Sequence, residues 1–518
     1  MKIRSTWIAN RGAVCGKKAN RFASFALALT AGVLLLSAPV FSAQKAATQS
    51  TKTAGAATGP ASAVGVWTAP INVGVVAIHA ALLNTGKVLM WYYPSTVGAP
   101  NPAVVFDPAT NTTQSVNIPS SSDFFCAGLT IGPDGNVFVI GGLNGIPPAP
   151  DLGITSAEIF NPTTQTWTAA NPMANARWYP TAVEMPDGTL WALSGTNASG
   201  TAIVQPIEQW KPSTGIWKTL PKSANMAPTS QTYPRVNVLT DGTLIMSGTG
   251  SITRKFDPAT NIWTTLGNMN YGNRIYGGVV LLPGLTKILT AGGHDTSTGP
   301  ATNTAEILDL TQPTPAWAYT GSMTNPRYNA NLVLLADGTV LMVGGNQVMK
   351  YSSPVEAAEL YNPATGTWSV MASQVARRGY HSTALLLPDG RVLSAGSDDF
   401  ARPDNSKTVE IYSPPYLFNG PRPAITSAPA TASYGSAITI NTPDAANITR
   451  VALIRPGAVT HANNFDQRYV DLSFTVGSGV INATAPPNKN YAPPGYYMLV
   501  IVNSSGVPSV MPFIRITN

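Results

Sequence analysis

The chain has 518 residues, of which 44% are hydrophobic and only 11% are charged, and it contains 46 glycines and 44 prolines. This composition excludes an intrinsically disordered chain and favours a turn-rich, all-β protein with a large apolar core. The net charge of +7 is concentrated in residues 1–43, which hold six basic residues and no acidic one. The charge therefore gives no reason to expect nucleic-acid binding.

Residues 1–43 predict a secretory signal peptide, because a basic stretch leads into the apolar run FALALTAGVLLL and ends at small residues. The alternative, an uncleaved membrane anchor, needs a longer apolar run than this one. We therefore expect a secreted or extracytoplasmic protein, in the periplasm, at the cell surface or outside the cell, with no membrane span after cleavage. Residues 44–63 are rich in Ala, Thr and Ser and predict a flexible linker.

Cleavage would leave Cys126 as the single cysteine, because Cys15 lies in the signal peptide. A structural disulfide requires two cysteines. A lone cysteine in an oxidising compartment is therefore either an inert buried thiol or a reactive one. The cysteine count alone favours the inert alternative and leaves the other open.

Residues 64–415 repeat a unit of about fifty residues. Each unit has a turn, then an apolar run such as NVFVIGG, then an aromatic or apolar residue close to a second turn. The turn glycines are Gly86, Gly135, Gly188, Gly242, Gly284, Gly338 and Gly390. In five units a tryptophan follows: Trp167, Trp217, Trp263, Trp317 and Trp368. The pattern resembles the kelch repeat and predicts a seven-bladed kelch-type β-propeller.

The last unit has Tyr412 but no tryptophan after it. We expect the N-terminal segment GVW, at Trp67, to supply the missing strand and close the ring of blades. The repeat stops near residue 416. Residues 416–518 contain short alternating strands such as AITINTP and RVALIRP, which predict a C-terminal immunoglobulin-like β-sandwich.

Side chains that can take part in chemistry recur at one position of the repeat. Nine residues before the turn glycine stand Cys126, Tyr179, Tyr233, Asn329 and His381, and Tyr380 immediately precedes His381. In a kelch blade this position begins the innermost strand, so these residues are expected around one mouth of the propeller. Successive strand residues face opposite sides. Tyr380 and His381 can therefore both face this mouth only where the strand entry is bulged or turned.

Four motifs, in order, carry a resemblance to a known family: DFFCAG around Cys126, ARWYPT around Tyr179, RGYHSTALLLPDGR around Tyr380 and His381, and VTHANNFDQRYVDLSF around His461. With them the chain resembles the copper-radical oxidases, typified by galactose oxidase and glyoxal oxidase. The resemblance covers essentially all of the chain after the signal peptide.

The resemblance implies one copper ion held by Tyr179, Tyr380, His381 and His461, and a thioether bond between Cys126 and the ring of Tyr179. In such a site Tyr179 carries the radical that takes hydrogen from carbon, and Tyr380 is the general base. Copper changes its charge by one electron, so the modified tyrosine stores the second electron of the oxidation. No Gly-rich dinucleotide motif after a βα pattern indicates a nicotinamide or flavin cofactor.

Two further positions are candidate substrate-pocket residues. Asn197 stands where galactose oxidase has a tryptophan over the modified tyrosine, and Tyr233 lies in TYPR, which resembles a glyoxal oxidase segment. The segments RWYP and VTHANNFDQRYV are also closer to the glyoxal oxidase branch. We therefore expect a monomer that oxidises small aldehydes, primary alcohols or glycan termini and reduces O2 to H2O2.

Two alternatives to an oxidase remain. A secreted kelch scaffold could bind glycan or protein without catalysis. A polysaccharide lyase or hydrolase would need paired carboxylates near the axis, and none occurs at the repeated position.

Overall fold

The computed structural model describes residues 57–119, 123–145, 152–227, 230–296, 299–348, 352–398 and 407–517. The predicted signal peptide and residues 44–56 of the predicted linker lie outside the described residues. The end of the linker prediction overlaps a short helix, α1 (Ala61–Val64). Within the described ranges, no helix is long and apolar enough to cross a membrane.

The described chain is all-β, as its composition predicts, and consists mostly of small antiparallel sheets. Two short strands, β1 (Val66–Trp67) and β2 (Ile71–Asn72), precede seven successive sheets of the described region. The first sheet has β3 (His79–Leu82), β4 (Val88–Trp91), β5 (Ala103–Asp107) and β6 (Thr112–Ser115). The second has β7 (Gly128–Ile131), β8 (Val137–Ile140), β9 (Ala157–Asn161) and β10 (Thr166–Ala170). The third has β11 (Thr181–Glu184), β12 (Leu190–Leu193), β13 (Glu208–Lys211) and β14 (Ile216–Thr219).

The next four sheets repeat this arrangement. The fourth has β15 (Val236–Val238), β16 (Leu244–Met246), β17 (Ile252–Asp257) and β18 (Ile262–Asn268). The fifth has β19 (Gly278–Leu281), β20 (Lys287–Ala291), β21 (Ala305–Asp309) and β22 (Trp317–Tyr319). The sixth has β23 (Asn331–Leu334), β24 (Val340–Val343), β27 (Ala357–Asn362) and β28 (Thr367–Ser373). Between β24 and β27, β25 (Asn346–Val348) and β26 (Ser352–Pro354) form a separate two-stranded sheet. The seventh has β29 (Ser382–Leu386), β30 (Val392–Gly396) and β31 (Thr408–Ser413).

The predicted closing strand is observed: β1 pairs antiparallel with β31, with Trp67 opposite Tyr412. The same cross-strand pair recurs in the sheets that contain a repeat tryptophan. Its members are Phe160 and Trp167, Trp210 and Trp217, Phe256 and Trp263, Leu308 and Trp317, and Tyr361 and Trp368. Residues directly opposite each other on antiparallel strands are close neighbours. The N-terminal tryptophan therefore replaces the one that the last repeat lacks.

The first strands of neighbouring sheets lie side by side. β7 contacts β11, β11 contacts β15, β19 contacts β23, β23 contacts β29, and β29 contacts β3. Each first strand ends in a turn such as that of Asp187 and Gly188, where the aspartate accepts a hydrogen bond from Thr189 N at 3.0 Å. Gly188 has φ of 79°, a conformation that glycine adopts without steric cost.

Residues after 416 form two further sheets and one hairpin. Their strands are β32 (Thr431–Ser433), β33 (Ala437–Asn441), β34 (Ile448–Arg455), β35 (Ala458–Thr460), β36 (Asn463–Asn464), β37 (Arg468–Asp471), β38 (Phe474–Gly477), β39 (Val480–Thr484), β40 (Gly495–Asn503) and β41 (Phe513–Thr517). One sheet has the order β32-β41-β40-β34-β37 and the other the order β33-β39-β38. The hairpin of β35 and β36 leaves these sheets and extends the first sheet by pairing with β3.

Candidate metal centre

The residues at the repeated position share an unusual backbone conformation. Their φ angles are positive: 56° for Cys126, 60° for Tyr179, 45° for Tyr233, 54° for Tyr276, 59° for Asn329 and 65° for His381. We call these six residues the left-handed set. Side chains other than glycine seldom adopt this conformation, and such strain tends to concentrate where a site requires it.

The left-handed set includes one residue that sequence reasoning missed, Tyr276. Counting nine residues back from Gly284 leads to its neighbour Ile275. In the structure Leu285 also has a positive φ, of 59°, and nine residues before Leu285 stands Tyr276. The turn of the fifth sheet is therefore displaced by one residue, and the Tyr276 motif becomes visible when the count starts from Leu285.

Backbone hydrogen bonds join members of the left-handed set across neighbouring sheets. The amide of Tyr179 donates to the carbonyl of Cys126 at 3.1 Å, and the amide of Tyr233 donates to the carbonyl of Tyr179 at 2.9 Å. The amide of Asn329 donates in the same way to the carbonyl of Tyr276, at 3.0 Å. These residues therefore occupy equivalent places, and their side chains project from a common backbone frame.

The structure brings together all five residues proposed for the copper centre, and each is at least nine-tenths buried. The phenol oxygens of Tyr179 and Tyr380 are in contact. The sulfur of Cys126 lies 3.3 Å from Nε2 of His461 and 3.9 Å from Nε2 of His381. Three of these side chains, Cys126, His381 and His461, form the cluster of potential metal ligands found among the described residues.

The expected turn at the strand entry is present. The positive φ of His381 lies between Tyr380 and the first residue of β29. The rings of Tyr380 and His381 consequently lie on the same side, with centroids 3.8 Å apart, and His381 is 4.5 Å from the ring of His461.

Both histidines direct Nε2 towards Cys126 and make a further contact through Nδ1. Nδ1 of His381 lies 3.3 Å from a carboxylate oxygen of Asp398. Nδ1 of His461 lies 2.6 Å from Oγ1 of Thr460, whose own hydroxyl proton is donated to the carbonyl of Ile78 at 2.8 Å. Thr460 Oγ1 can therefore accept from Nδ1–H of His461, a tautomer in which Nε2 is the metal-binding nitrogen. Such contacts orient metal-binding imidazoles in known sites.

His461 comes from the hairpin of β35 and β36, which is held against several sheets. Asp466 accepts hydrogen bonds from Thr130 Oγ1 at 2.8 Å and from Ile131 N at 2.9 Å. Arg235 donates to the carbonyl of His461 at 3.0 Å. A residue from the C-terminal part of the chain thereby reaches the centre formed by the left-handed set.

Buried ion pairs fix the segments that carry the site. The arginine of each pair stands two residues before Tyr179, Tyr276, Asn329 or Tyr380. The pairs are Arg177 with Glu208 at 2.8 Å, Arg274 with Glu306 at 2.7 Å, Arg327 with Glu359 at 2.6 Å and Arg378 with Glu410 at 3.4 Å. A paired, hydrogen-bonded guanidinium holds the adjacent backbone in one geometry.

Burial dominates the electrostatics of the centre. It raises the pKa of the Tyr179 phenol well above its ordinary value, and the neighbouring Cys126 and Tyr380 raise it further. Without a metal, the phenol therefore keeps its proton. Two imidazole nitrogens and two phenol oxygens nevertheless form a donor set that fits copper(II), whose binding would displace the phenolic protons.

The two predicted pocket residues lie in different surroundings. The ring of Tyr233 is 4.6 Å from that of Tyr179 and 5.0 Å from that of His461. The side-chain oxygen of Asn197 accepts hydrogen bonds from the backbone amides of Ser199 and Thr201, at 3.2 and 3.0 Å. Tyr233 therefore belongs to the centre, whereas the contacts described for the Asn197 side chain organise its own turn.

An aromatic contact on Tyr179 comes from its immediate neighbour. The ring of Trp178 meets the ring of Tyr179 edge-to-face, with centroids 4.0 Å apart and an interplanar angle of 79°. Position 197, where galactose oxidase has its tryptophan, holds an asparagine in this chain. The motif RWYP contains Trp178, but a strand neighbour normally faces the opposite side, and only the positive φ of Tyr179 brings the two rings together.

Comparison with known proteins agrees with this geometry. Residues 98–416 match the family described as glyoxal oxidase N-terminus. Residues 422–516 match the galactose oxidase-like, Early set domain. A galactose oxidase from Gibberella zeae is 30% identical, with 89% of this chain and 72% of that protein covered.

Two further relatives bear on the chemistry. The protein named aldehyde oxidase GLOX from Vitis pseudoreticulata is 27% identical, over 80% of this chain and 85% of its own length. The solved structure of a fungal alcohol oxidase of the AA5 family, in complex with copper, superposes with a TM-score of 0.77. It is 26% identical, and the match covers 88% of this chain and all of that one.

Proposed function

We propose that this chain, which belongs to the copper-radical oxidase family of galactose oxidase and glyoxal oxidase, is a secreted enzyme that oxidises small aldehydes or primary alcohols. As a member of that family it is an oxygen-dependent copper oxidoreductase. The observation that carries the proposal is the convergence of Tyr179, Tyr380, His381 and His461 around the buried Cys126.

The architecture proposed for residues 64–415 is a seven-bladed kelch-type propeller. It is supported by the contacts between first strands of successive sheets and by the closing pair of Trp67 with Tyr412. For residues 416–518 we propose an immunoglobulin-like sandwich, supported by the two C-terminal sheets and the Early set match. Secretion rests on the signal peptide indicated by residues 1–43.

We assign the copper ligands as Tyr179, Tyr380, His381 and His461. When bound, copper supplies a one-electron redox partner and polarises a substrate oxygen. We further propose a thioether between Cys126 Sγ and the Tyr179 ring. A sulfur substituent makes a phenol easier to oxidise, so this tyrosine would hold the electron vacancy that the two-electron reaction requires.

Tyr380 and Tyr179 have different roles in the oxidation of a primary alcohol. Tyr380 accepts the hydroxyl proton, and the oxidised Tyr179 takes a hydrogen atom from the carbon. Their oxygens are in contact, so both can reach one hydroxyl-bearing carbon. The overall reaction balances as R–CH2OH + O2 → R–CHO + H2O2. The near-complete burial of these groups keeps bulk water away from the radical.

Small aldehydes are the favoured substrates, because the match to the glyoxal oxidase N-terminus covers most of the chain and a relative is named an aldehyde oxidase. An aldehyde would react as its hydrate, R–CH(OH)2 + O2 → R–COOH + H2O2. Asn197 at the position of the galactose oxidase tryptophan argues against galactose itself.

The proposal is tested by the intact mass of the secreted protein before and after aerobic loading with copper. We expect a loss of two hydrogens that depends on copper and is absent in Cys126→Ser, followed by H2O2 release with aldehydes or alcohols. An unchanged mass, an alkylatable Cys126 and no H2O2 would reject the radical mechanism and favour a kelch scaffold that binds without catalysis.

A further inference from the structure

Asn329 belongs to the left-handed set, and its polar side-chain atoms have no protein partner. The residue is 3% exposed. Neither its Oδ1 nor its Nδ2 makes a hydrogen bond within the described residues. A buried amide without partners is unfavourable, and buried polar groups in native proteins nearly always find a partner. This amide therefore has a donor and an acceptor left for a bound molecule.

The position of Asn329 indicates where that molecule lies. Its backbone amide donates to the carbonyl of Tyr276, as Tyr179 donates to Cys126 and Tyr233 to Tyr179. The ring of Tyr276 in turn lies 5.6 Å from that of Tyr380. Asn329 is thus a member of the same frame, on the side of Tyr380, which we propose as the base.

The polar residues on either side of Asn329 differ from it, because their side chains bond within the protein. Arg327, two residues earlier, is fixed by the fully buried ion pair with Glu359. Asn331, two residues later in β23, uses its own Nδ2 to bond the carbonyl and hydroxyl of Ser382, at 3.3 and 3.1 Å. The flanking residues are therefore engaged, and Asn329 alone of the three presents both a free donor and a free acceptor.

We infer that Asn329 is a specificity-determining residue that binds the second hydroxyl group of an aldehyde hydrate. This inference rests on the proposed function. A primary alcohol carries one hydroxyl on the reacting carbon, and that hydroxyl is taken by Tyr380. A hydrate carries two, and its second hydroxyl both donates and accepts, which matches the Oδ1 and Nδ2 of Asn329. The hydrate is converted as R–CH(OH)2 + O2 → R–COOH + H2O2.

Discrimination follows from the unpaired amide. With the hydrate bound, both amide atoms are satisfied; with an alcohol bound, they are left without a partner or need a water molecule. Sites built to hydrogen-bond one substrate hydroxyl reject analogues that lack it, because the polar groups of the site then stay unpaired. The preference for hydrated aldehydes over alcohols is therefore assigned to this residue.

The test compares two substrates with two carbons each: glyoxal, which is hydrated in water, and ethanol, a primary alcohol with a single hydroxyl group. The variant is Asn329→Gly, because glycine accepts the positive φ without strain. We expect kcat/KM for glyoxal to fall about tenfold or more relative to that for ethanol. The ratio is measured on one preparation, so a partly folded sample does not change it. Asn329→Ser retains a donor and an acceptor and should restore part of the preference.

The matched control is Asn331→Ala, which removes the amide of the nearby first residue of β23 and should leave the substrate ratio unchanged. A second measurement does not depend on turnover. Without oxygen, the dissociation constant of glyoxal for the copper(II) protein, followed by the visible copper absorption, should rise in Asn329→Gly and not in Asn331→Ala.

The outcomes separate this inference from the proposed function. If the wild-type protein oxidises glyoxal and Asn329→Gly keeps both its substrate ratio and its glyoxal affinity, the amide holds only structural water and the inference is overturned. If the wild-type protein oxidises neither substrate and forms no thioether, the proposed function fails and the inference with it.

Discussion

The backbone amide of Tyr179 donates a hydrogen bond to the carbonyl of Cys126 across 3.1 Å. The two residues lie just before β7 and β11, the first strands of neighbouring sheets, and each has a positive φ. Their backbones are therefore locked to one another by the fold before any bond joins their side chains. This arrangement gives the proposed thioether a preorganised pair of reactants, which lowers the entropic cost of forming it.

Asp398 should control how tightly His381 holds copper. The Asp398 carboxylate faces Nδ1 of His381 at 3.3 Å and accepts from the Tyr92 hydroxyl at 3.4 Å. Asp398→Asn removes the charge that orients the imidazole. We expect copper affinity to fall about 10–100-fold, measured by competition with a chelator. Asp471→Asn, which alters a surface pair with Arg450, serves as the control, and equal affinities in the two variants would contradict this role.

Glu208 should be needed for stability and for the placement of Tyr179. Both Glu208 and its partner Arg177 are fully buried. Glu208→Gln leaves the guanidinium charge without its counter-charge, which costs about 3–5 kcal/mol when one partner of a buried pair is lost. Urea denaturation measures the effect.

The comparison for Glu208→Gln is Asp241→Asn, which breaks the exposed pair with Lys255. Exposed pairs contribute about 1 kcal/mol or less. Similar losses of stability in the two variants would show that the buried pair has no special role.

The free energy of unfolding should decrease as the pH rises towards 8, because two buried carboxyl groups beside Arg455 keep their protons in the folded protein. Arg455 contacts Glu184 and lies 3.5 Å from Asp466. Burial raises the pKa of Glu184 to about 8 and that of Asp466 to about 6. The folded protein therefore retains protons that the unfolded chain releases above about pH 4.5.

The sign of this effect follows from the raised folded-state pKa values. The contribution to the free energy of unfolding is complete only below about pH 4, where both carboxyl groups are protonated in the unfolded chain as well, and it is lost as the pH rises through about 6 and 8. Urea midpoints at several pH values in this window measure it. Glu184→Gln cannot ionise, so its pH dependence should be flatter than that of the wild type, and parallel curves would exclude Glu184 as the cause.

Trp178 should stabilise the oxidised state of Tyr179. Its edge-to-face contact at 4.0 Å is of a kind worth about 0.5–1.5 kcal/mol. In Trp178→Ala we expect the Tyr179 potential to shift by tens of millivolts and the radical absorption to decay faster after the oxidant is removed. Trp263→Ala, in an outer strand of the fourth sheet, should leave the decay unchanged. Equal decay in both variants would show that Trp178 does not stabilise the radical.

The repeat, the closing strand at Trp67 and the equivalent positions of most members of the left-handed set could be predicted from the sequence. Turn spacing and strand period are local properties, so a constant offset from the turn glycine placed Cys126, Tyr179, Tyr233, Asn329 and His381 at equivalent positions. The count failed for Tyr276, because the turn at Leu285 is displaced by one residue, and local spacing cannot show which turn residue adopts the positive φ.

The contacts of these side chains depend on the tertiary structure and could not be predicted from the sequence. Asp398 beside His381, the contact of Trp178 with Tyr179 and the unpartnered amide of Asn329 depend on strand entries with positive φ and on the packing of separate sheets. His461 reaches the centre from a hairpin more than three hundred residues after Cys126. Periodicity along the chain specifies the height of a residue in its sheet, whereas hydrogen bonding and burial between sheets specify what it touches.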